Sequence, residues 1–169
     1  MKPLTVSRLL IATALSAASS AATFAALTPA HVDAFVHDFY SVYNAPGVPR
    51  VMEFYTPEAT LIDPTFGLDL HNRTEISELL TTGLAKYESL ELQAEHTLVA
   101  GEDLVVEGTM VGKLMGRTVR VKFVSVFHFT GGKISAQRDM FDVLHFYSQL
   151  GIVPPQFRPK PAPAAKVQS

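Results

Sequence analysis

Apolar residues along this chain change from a helical spacing to a strict alternation near Ser89. Between Pro29 and Asn44 they recur every three or four residues, which is typical of one face of an amphipathic helix. These apolar positions are Val32, Phe35, Val36, Phe39, Val42 and Tyr43. Thr28 is suited to cap this helix, and Pro29 to its first position. The pattern predicts a long helix that ends at the turn Asn44-Ala45-Pro46-Gly47.

Two shorter elements and a further helix are predicted before the alternation begins. Val48–Tyr55 is predicted as a second helix, and Ala59–Ile62 as a short strand that Asp63-Pro64 stops. The sequence Asn72-Arg73-Thr74-Glu75 resembles a capping box, so it predicts a third helix that runs to about Lys86.

Beyond Ser89, apolar residues occupy every second position in three successive segments, as in strands with one buried face. Short glycine-containing turns separate the segments, which favours an antiparallel meander. The stripes are Leu90, Leu92, Ala94, His96 and Leu98; Leu104, Val106, Gly108 and Met110; and Val119, Val121, Phe123, Ser125, Phe127 and Phe129. A last strand at about Lys133–Met140 and an apolar helix over Phe141–Leu150 complete the pattern. Helices followed by such strands predict an α+β fold, in which a curved antiparallel sheet packs on three N-terminal helices.

The first 25 residues differ from this central part. Basic Lys2 and Arg8 precede the uncharged stretch Leu9–Ala22, and small residues follow, which is the pattern of a secretory signal peptide. We expect cleavage near Ala22 or Ala25 and export to the periplasm or the medium. A transmembrane anchor is the alternative, but the stretch is weakly apolar for a bilayer span.

Composition and charge narrow the classes of partner and cofactor that this protein is expected to bind. The 169 residues include 14 basic and 16 acidic side chains, a net charge of -2, and no cysteine. Without a basic stripe, nucleic acid is not an expected partner. The six histidines lack metal-ligand spacing, so we expect no metal and no other cofactor. No second apolar stretch could keep the cleaved chain in a membrane. Residues 28–153 form the predicted domain, and 154–169 a proline-rich tail that is expected to be disordered.

Three stretches follow one another in a recognisable order. They are the helix carrying Phe39 and Tyr43; Ala59-Thr60-Leu61-Ile62-Asp63-Pro64; and the ending from Phe127 to Ile134 with Arg138-Asp139-Met140-Phe141-Asp142. Together they resemble the nuclear transport factor 2-like superfamily, and within it the ketosteroid isomerase and SnoaL-like polyketide cyclase branches. The resemblance implies a cone-shaped, cystatin-like α+β roll that often dimerises through the outer face of its sheet. It also implies acid/base chemistry on apolar rings inside the cone of catalytic members.

Asp63 lies where the resemblance places the general base of the isomerases. A carboxylate that faces an apolar cavity loses hydration, so its pKa rises towards neutrality and it becomes a usable base. The alternative is a turn residue whose carboxylate accepts hydrogen bonds from nearby amides.

The oxyanion donors of the isomerases are replaced in this chain. The resemblance places the donor tyrosine on Phe39 and the donor carboxylic acid on Ser125, and a phenyl ring donates no hydrogen bond. Tyr43, one helical turn beyond Phe39, is the candidate replacement donor. The alternative is that Tyr43 is an ordinary core residue. Steroid isomerisation is therefore not expected.

The SnoaL-like branch instead implies an acid near the end of the sheet, which points to Asp139 or Asp142. Alternation from Ile134 puts Arg138 on the interior face and Asp139 on the opposite one. Asp142 is either catalytic or the cap of the last helix.

The remaining candidates belong to the wall of the pocket. His96 falls on an apolar stripe, where it is either a core histidine or a catalytic one. Phe39, Phe54, Val121, Phe123 and Phe127 are expected to form the wall.

Three functions follow from these patterns. The first is an enzyme that moves protons on a small apolar carbonyl compound. The second is a binding module for such a molecule, without chemistry. The third is a homodimer domain that associates through Val124, Val126 and His128 on the other sheet face.

Overall fold

The computed structural model describes residues 27–44 and 48–152. The predicted signal peptide, the turn at 45–47 and the predicted tail lie outside these residues.

The first helix, α1, spans Pro29–Asn44, as the apolar spacing predicts. Its start is capped, because the Thr28 hydroxyl accepts a hydrogen bond from the His31 amide at 3.3 Å. The second helix is shorter than predicted. Helix α2 covers only Val48–Val51, a 3-10 turn follows over Met52–Phe54, and Tyr55 already belongs to a strand.

Helix α3 spans Arg73–Leu84 and begins at the predicted capping box. The Asn72 side chain accepts a hydrogen bond from the Glu75 amide at 2.9 Å, and the Glu75 carboxylate accepts one from the His71 amide at 2.8 Å. These reciprocal bonds satisfy amides that a helix start otherwise leaves unpaired.

Six strands form one curved sheet in the order β2-β1-β6-β5-β4-β3. They are β1 (Tyr55–Asp63), β2 (Leu68–Leu70), β3 (Tyr87–Ala100), β4 (Asp103–Leu114), β5 (Arg117–Thr130) and β6 (Lys133–Phe141). A short helix, α4, follows at Val143–Gln149. Strands β1 and β6 pair in parallel, so the sheet is mixed and not wholly antiparallel as predicted. The predicted α+β class is confirmed.

The core lies between α1 and the inner face of the sheet. Strand β5 alternates buried and exposed positions along most of its length, as its sequence predicts. Phe39 of α1 packs edge-on against Phe127 of β5, with ring centroids 5.4 Å apart. In the part of the chain that the structure describes, no helix is long and apolar enough to cross a membrane.

Two of the register shifts in the sheet decide which predicted residues reach its interior. In β3 the pairing with β4 shifts between Ala94 and His96, and in β6 the pairing with β5 shifts after Ile134. Each bulge inserts one extra residue, so every later side chain changes face. This change decides which residues reach the interior near the end of the sheet.

Candidate functional site

A cavity of about 190 Å³ lies between the inner face of the sheet, α1 and α3. Its walls are mainly apolar, with Leu79 and Leu80 from α3, Leu90 and Leu92 from β3, and Val121 and Phe123 from β5. Seven polar side chains also line it: Tyr40, Tyr43, Asp63, Tyr87, Ser125, Gln137 and Asp139. An apolar cavity with a few convergent polar groups is the usual form of a small-molecule site.

Asp139 is the polar centre of this cavity. It lies directly opposite Ser125 in the β5–β6 pairing, and both face inward. The Ser125 hydroxyl donates to one Asp139 oxygen at 2.6 Å, and the Gln137 amide nitrogen donates to the other at 2.7 Å. Burial raises the pKa of Asp139 to about 6; the two hydrogen bonds oppose that rise, and the Asp63 charge adds to it. A carboxyl group with this pKa can accept and return a proton near neutral pH.

Among the residues that the structure describes, the Tyr40 hydroxyl finds no hydrogen-bond partner, although it is a buried donor. Its side chain comes from α1, lines the cavity and is 5% exposed. The Ser125 hydroxyl is near enough to affect its pKa, but the geometry completes no hydrogen bond between the two groups. Burial raises the pKa of Tyr40 well above its ordinary value, so the hydroxyl keeps its proton. An unpaired buried hydroxyl costs free energy unless a ligand atom pairs with it.

Asp63 has the geometry of a turn residue, the second of its two predicted roles, and it also lies in the cavity wall. Its carboxylate accepts a hydrogen bond from the Thr65 amide at 2.8 Å and a longer one from the Phe66 amide at 3.4 Å, which makes it a turn residue. It is also 7% exposed and lines the cavity. The turn holds this second carboxylate in the wall.

Six of the predicted site residues come together here: Phe39, Tyr43, Asp63, Val121, Phe123 and Ser125 all line the cavity. Burial raises the pKa of Tyr43 well above its ordinary value. Phe54 and Phe127 lie behind the wall, where both pack edge-on against Phe39. They belong to the core.

The predicted inward positions of His96 and Arg138 are wrong. After its bulge, β3 places His96 opposite Glu107 on the outer face, where it is exposed. After the β6 bulge, Arg138 pairs with Val126 on the outer face and is exposed as well. The same shift turns Asp139 inward, so the face predicted for it is also wrong.

Asp142 lies outside the cavity lining, at the start of α4. It is exposed, and its carboxylate accepts a hydrogen bond from the His145 amide at 2.8 Å. This is the geometry of a helix cap, the second of its two predicted roles.

We expect Asp142→Ala to lower the free energy of unfolding by about 1 kcal/mol, because the first turn of α4 loses its cap. Asp142→Asn is the matched control, since an amide oxygen caps nearly as well. Urea denaturation of both variants measures the difference. Equal losses in the two variants would contradict a capping role.

The sequence reasoning missed Tyr40 and Gln137 as cavity residues. Tyr40 follows Phe39 and lies four residues after Val36, so helical spacing places it on the edge of the apolar face. The sequence therefore contains a signal that Tyr40 faces the interior. It contains none for Gln137, because the face that Gln137 occupies depends on the bulge in β6.

The fold and the site define a class of protein: an α+β domain that encloses a small apolar cavity with two carboxyl groups. The SnoaL-like domain family matches residues 36–137, and the chain belongs to this family. No curated protein is similar enough in sequence to count as a relative.

Solved structures show the same fold at low identity. A hypothetical protein with a ketosteroid isomerase-like fold from Catenulispora acidiphila, in complex with trimethylamine, is 18% identical over 79% of this chain and 100% of that one, with a TM-score of 0.66. A putative SnoaL-like polyketide cyclase from Shewanella denitrificans is 14% identical over 73% and 98%, with a TM-score of 0.65. TerC co-crystallised with polyporic acid is 20% identical over 72% and 98%, with a TM-score of 0.64.

Proposed function

We propose that this protein binds a small apolar carbonyl compound in its cavity and moves a proton on the carbon beside the carbonyl. Asp139 is the proton acceptor, and Tyr40 donates a hydrogen bond to the carbonyl oxygen. One observation carries the proposal: Asp139, a half-buried carboxyl group of pKa about 6, shares an apolar cavity with the buried Tyr40 hydroxyl, which has no partner among the described residues. TerC, which was co-crystallised with polyporic acid, shows that this fold is compatible with a small organic ligand.

The proton transfer conserves atoms and charge within the cavity. Asp139 takes the proton as the C–H bond breaks, and the electron pair moves into the carbonyl group to form an enolate. The Tyr40 hydroxyl donates to the enolate oxygen, whose charge it stabilises more strongly than that of the neutral carbonyl. Asp139 then returns the proton to the same carbon or to a conjugated one. The net reaction is exchange or isomerisation.

The size of the cavity limits the substrate. A dry apolar cavity of about 150 Å³ holds one benzene ring, and pockets for drug-sized ligands begin at about 300 Å³. This cavity, at about 190 Å³, lies near the lower of these values. We therefore propose a substrate of about one or two rings, and not a four-ring compound.

Hydrogen exchange on an indanone, which has two fused rings and one ketone, tests the proposal without knowledge of the natural substrate. In heavy water, the wild-type protein should accelerate loss of the proton signal beside the ketone. The rate should rise with pH through about 6 and then level off, because Asp139 must be ionised to accept the proton. Asp33→Asn, an exposed aspartate on α1, is a control for general effects of charge.

The alternative is a binding module that holds the same kind of molecule without chemistry. Its apolar walls serve either function equally, and the raised pKa of Asp139 favours the enzyme. Binding of the indanone without any acceleration of exchange would support the module and contradict the enzyme for this class of compound.

Asp63→Asn separates the two carboxyl groups. The amide oxygen can keep the turn, while the negative charge that raises the pKa of Asp139 is removed. We expect the pH at which exchange becomes half-maximal to fall, with most of the plateau rate retained. Exchange rates across the pH range measure this shift. Loss of exchange as severe as in an Asp139 variant would instead make Asp63 the base.

We also propose that the protein is exported and forms a homodimer. The basic, uncharged and small-residue segments at the start of the sequence support export, which N-terminal sequencing of the protein from the cell envelope would test.

The outer sheet face supports the homodimer. There, Leu98 is 66% exposed and pairs with Val105, which pairs with Val126. Apolar exposure of this kind supports association with a second copy. Sedimentation of wild type against Val126→Glu would test it.

A further inference from the structure

A chain of hydrogen bonds leads from Asp139 away from the cavity into the core. The Gln137 side chain, 5% exposed, donates from its amide nitrogen to Asp139 at 2.7 Å. Its amide oxygen accepts a short hydrogen bond from the hydroxyl of Tyr55, which is 1% exposed. Tyr55 is the first residue of β1 and is not among the residues that line the cavity. A tyrosine outside the site is thus linked to its central carboxyl group through one amide.

The amide of Gln137 has two possible orientations, and they favour opposite protonation states of Asp139. With its nitrogen towards Asp139 it donates, which stabilises the carboxylate. Turned over, its oxygen would face Asp139, which repels the carboxylate and favours the protonated acid. The amide orientation therefore acts on the charge of Asp139.

The Tyr55 hydroxyl selects the first orientation. It donates its proton to the amide oxygen, which leaves the amide nitrogen facing Asp139. If the amide turned over, two donors would meet at the Tyr55 end unless the hydroxyl reoriented. Its proton would then lose its partner in a site that is almost fully buried, which costs free energy.

We propose that Tyr55 is a positioning residue that, through the Gln137 amide, holds Asp139 in its ionised, proton-accepting form. This inference rests on the proposed function of Asp139. The hydrogen bonds themselves do not depend on that function, so the two can fail separately.

The other groups around Asp139 do little to favour its ionised form, so the Gln137 amide has a large share in stabilising the carboxylate. From β1, Asp63 contributes a negative charge that opposes ionisation. Tyr40 and Tyr43 from α1 and Tyr87 from β3 are neutral, since burial raises the pKa of each above its ordinary value. No lysine, arginine or histidine is among the cavity-lining residues in the described part of the chain. Among the residues with described positions, the Ser125 hydroxyl and the Gln137 amide are the donors that offset the desolvation of the carboxylate, and of these two the amide is fixed by a further hydrogen bond, from Tyr55.

The Asp139 carboxyl group can be titrated directly by nuclear magnetic resonance of protein labelled with ¹³C at the aspartate carboxyl carbons, with Asp139→Asn to assign its signal. In Tyr55→Phe the midpoint should move up by about one pH unit, the equivalent of one hydrogen bond. Tyr147→Phe is the matched control, because Tyr147 lies on α4 and is not among the cavity-lining residues. Its midpoint should stay at the wild-type value.

A double-mutant cycle tests the route through Gln137. Gln137→Leu should also raise the midpoint, and adding Tyr55→Phe to it should cause no further rise, because the amide that carries the effect is gone. The pH dependence of indanone exchange should shift by the same amount as the carboxyl titration.

Two results would overturn the inference. One is a Tyr55→Phe midpoint equal to that of Tyr147→Phe. The other is a Tyr55→Phe shift that persists in the Gln137→Leu background. If Tyr55→Phe does not fold, an unchanged Asp139 midpoint in Gln137→Leu overturns it equally. A shifted titration without indanone exchange in any variant would leave the positioning role standing and contradict the proposed enzyme.

Discussion

Asp139→Asn should lose indanone exchange by roughly 10²- to 10⁴-fold, the usual contribution of a positioned general base. The amide cannot accept the proton, yet it fits the same site. Its oxygen can accept from the Gln137 amide, and its nitrogen can donate to the Ser125 oxygen, so both neighbours keep a partner. The loss should therefore reflect chemistry and not a disrupted cavity.

The same substitution should stabilise the protein at neutral pH. The pKa of Asp139 is raised from 3.8 to about 6, so the folded state binds this proton more tightly than the unfolded state. Stability from this group is then fully present below about pH 4 and is lost as the pH rises towards about 6. Removing the group should raise the free energy of unfolding by up to roughly 3 kcal/mol above pH 6, with little effect near pH 4.

Urea denaturation of wild type and Asp139→Asn at about pH 4 and about pH 8 measures this difference. Asp33→Asn, on the exposed surface of α1, should show no comparable gain with pH. A gain that is equal at both pH values would mean that the ionised Asp139 is not the source of the instability.

Tyr40→Phe should lower the exchange rate by roughly 10²- to 10³-fold, which is the usual effect of removing one oxyanion donor. The phenyl ring keeps the packing of Tyr40 against Phe39 and Phe123, whose ring centroids lie 5.2 and 6.0 Å away. The lost hydroxyl is the buried group that has no partner within the described ranges. The variant should therefore gain about 1 kcal/mol or more in the free energy of unfolding.

Exchange kinetics and urea denaturation of the same samples check both effects of Tyr40→Phe. Tyr147→Phe provides a matched loss of a hydroxyl outside the cavity lining, and it should keep the wild-type exchange rate. A Tyr40→Phe protein that is less stable than wild type would show that the hydroxyl has a structural partner, and an unchanged rate would remove it from the proton transfer.

Helix α1 and strand β5 are elements that the local spacing of apolar residues predicts correctly. The apolar spacing between Pro29 and Asn44 and the alternation from Val119 to Phe129 both predict the observed elements, because each segment buries one continuous face. The capping box at Asn72 likewise marks the start of α3, since its hydrogen bonds are local. Sequence similarity to a known family added the general position of Asp63 in the wall.

The sequence by itself determined the fold class and the first helix, because both depend on spacing within single segments. Its resemblance to a known family placed Phe39, Asp63 and Ser125 at the cavity, and helical spacing from Phe39 added Tyr43. Only the tertiary structure decided which acid lies at the centre. A bulge is fixed by pairing with a neighbouring strand and by packing, which no spacing within β6 records. The extra residue after Ile134 turns Arg138 out and Asp139 in, towards Ser125 and the unpaired Tyr40 hydroxyl.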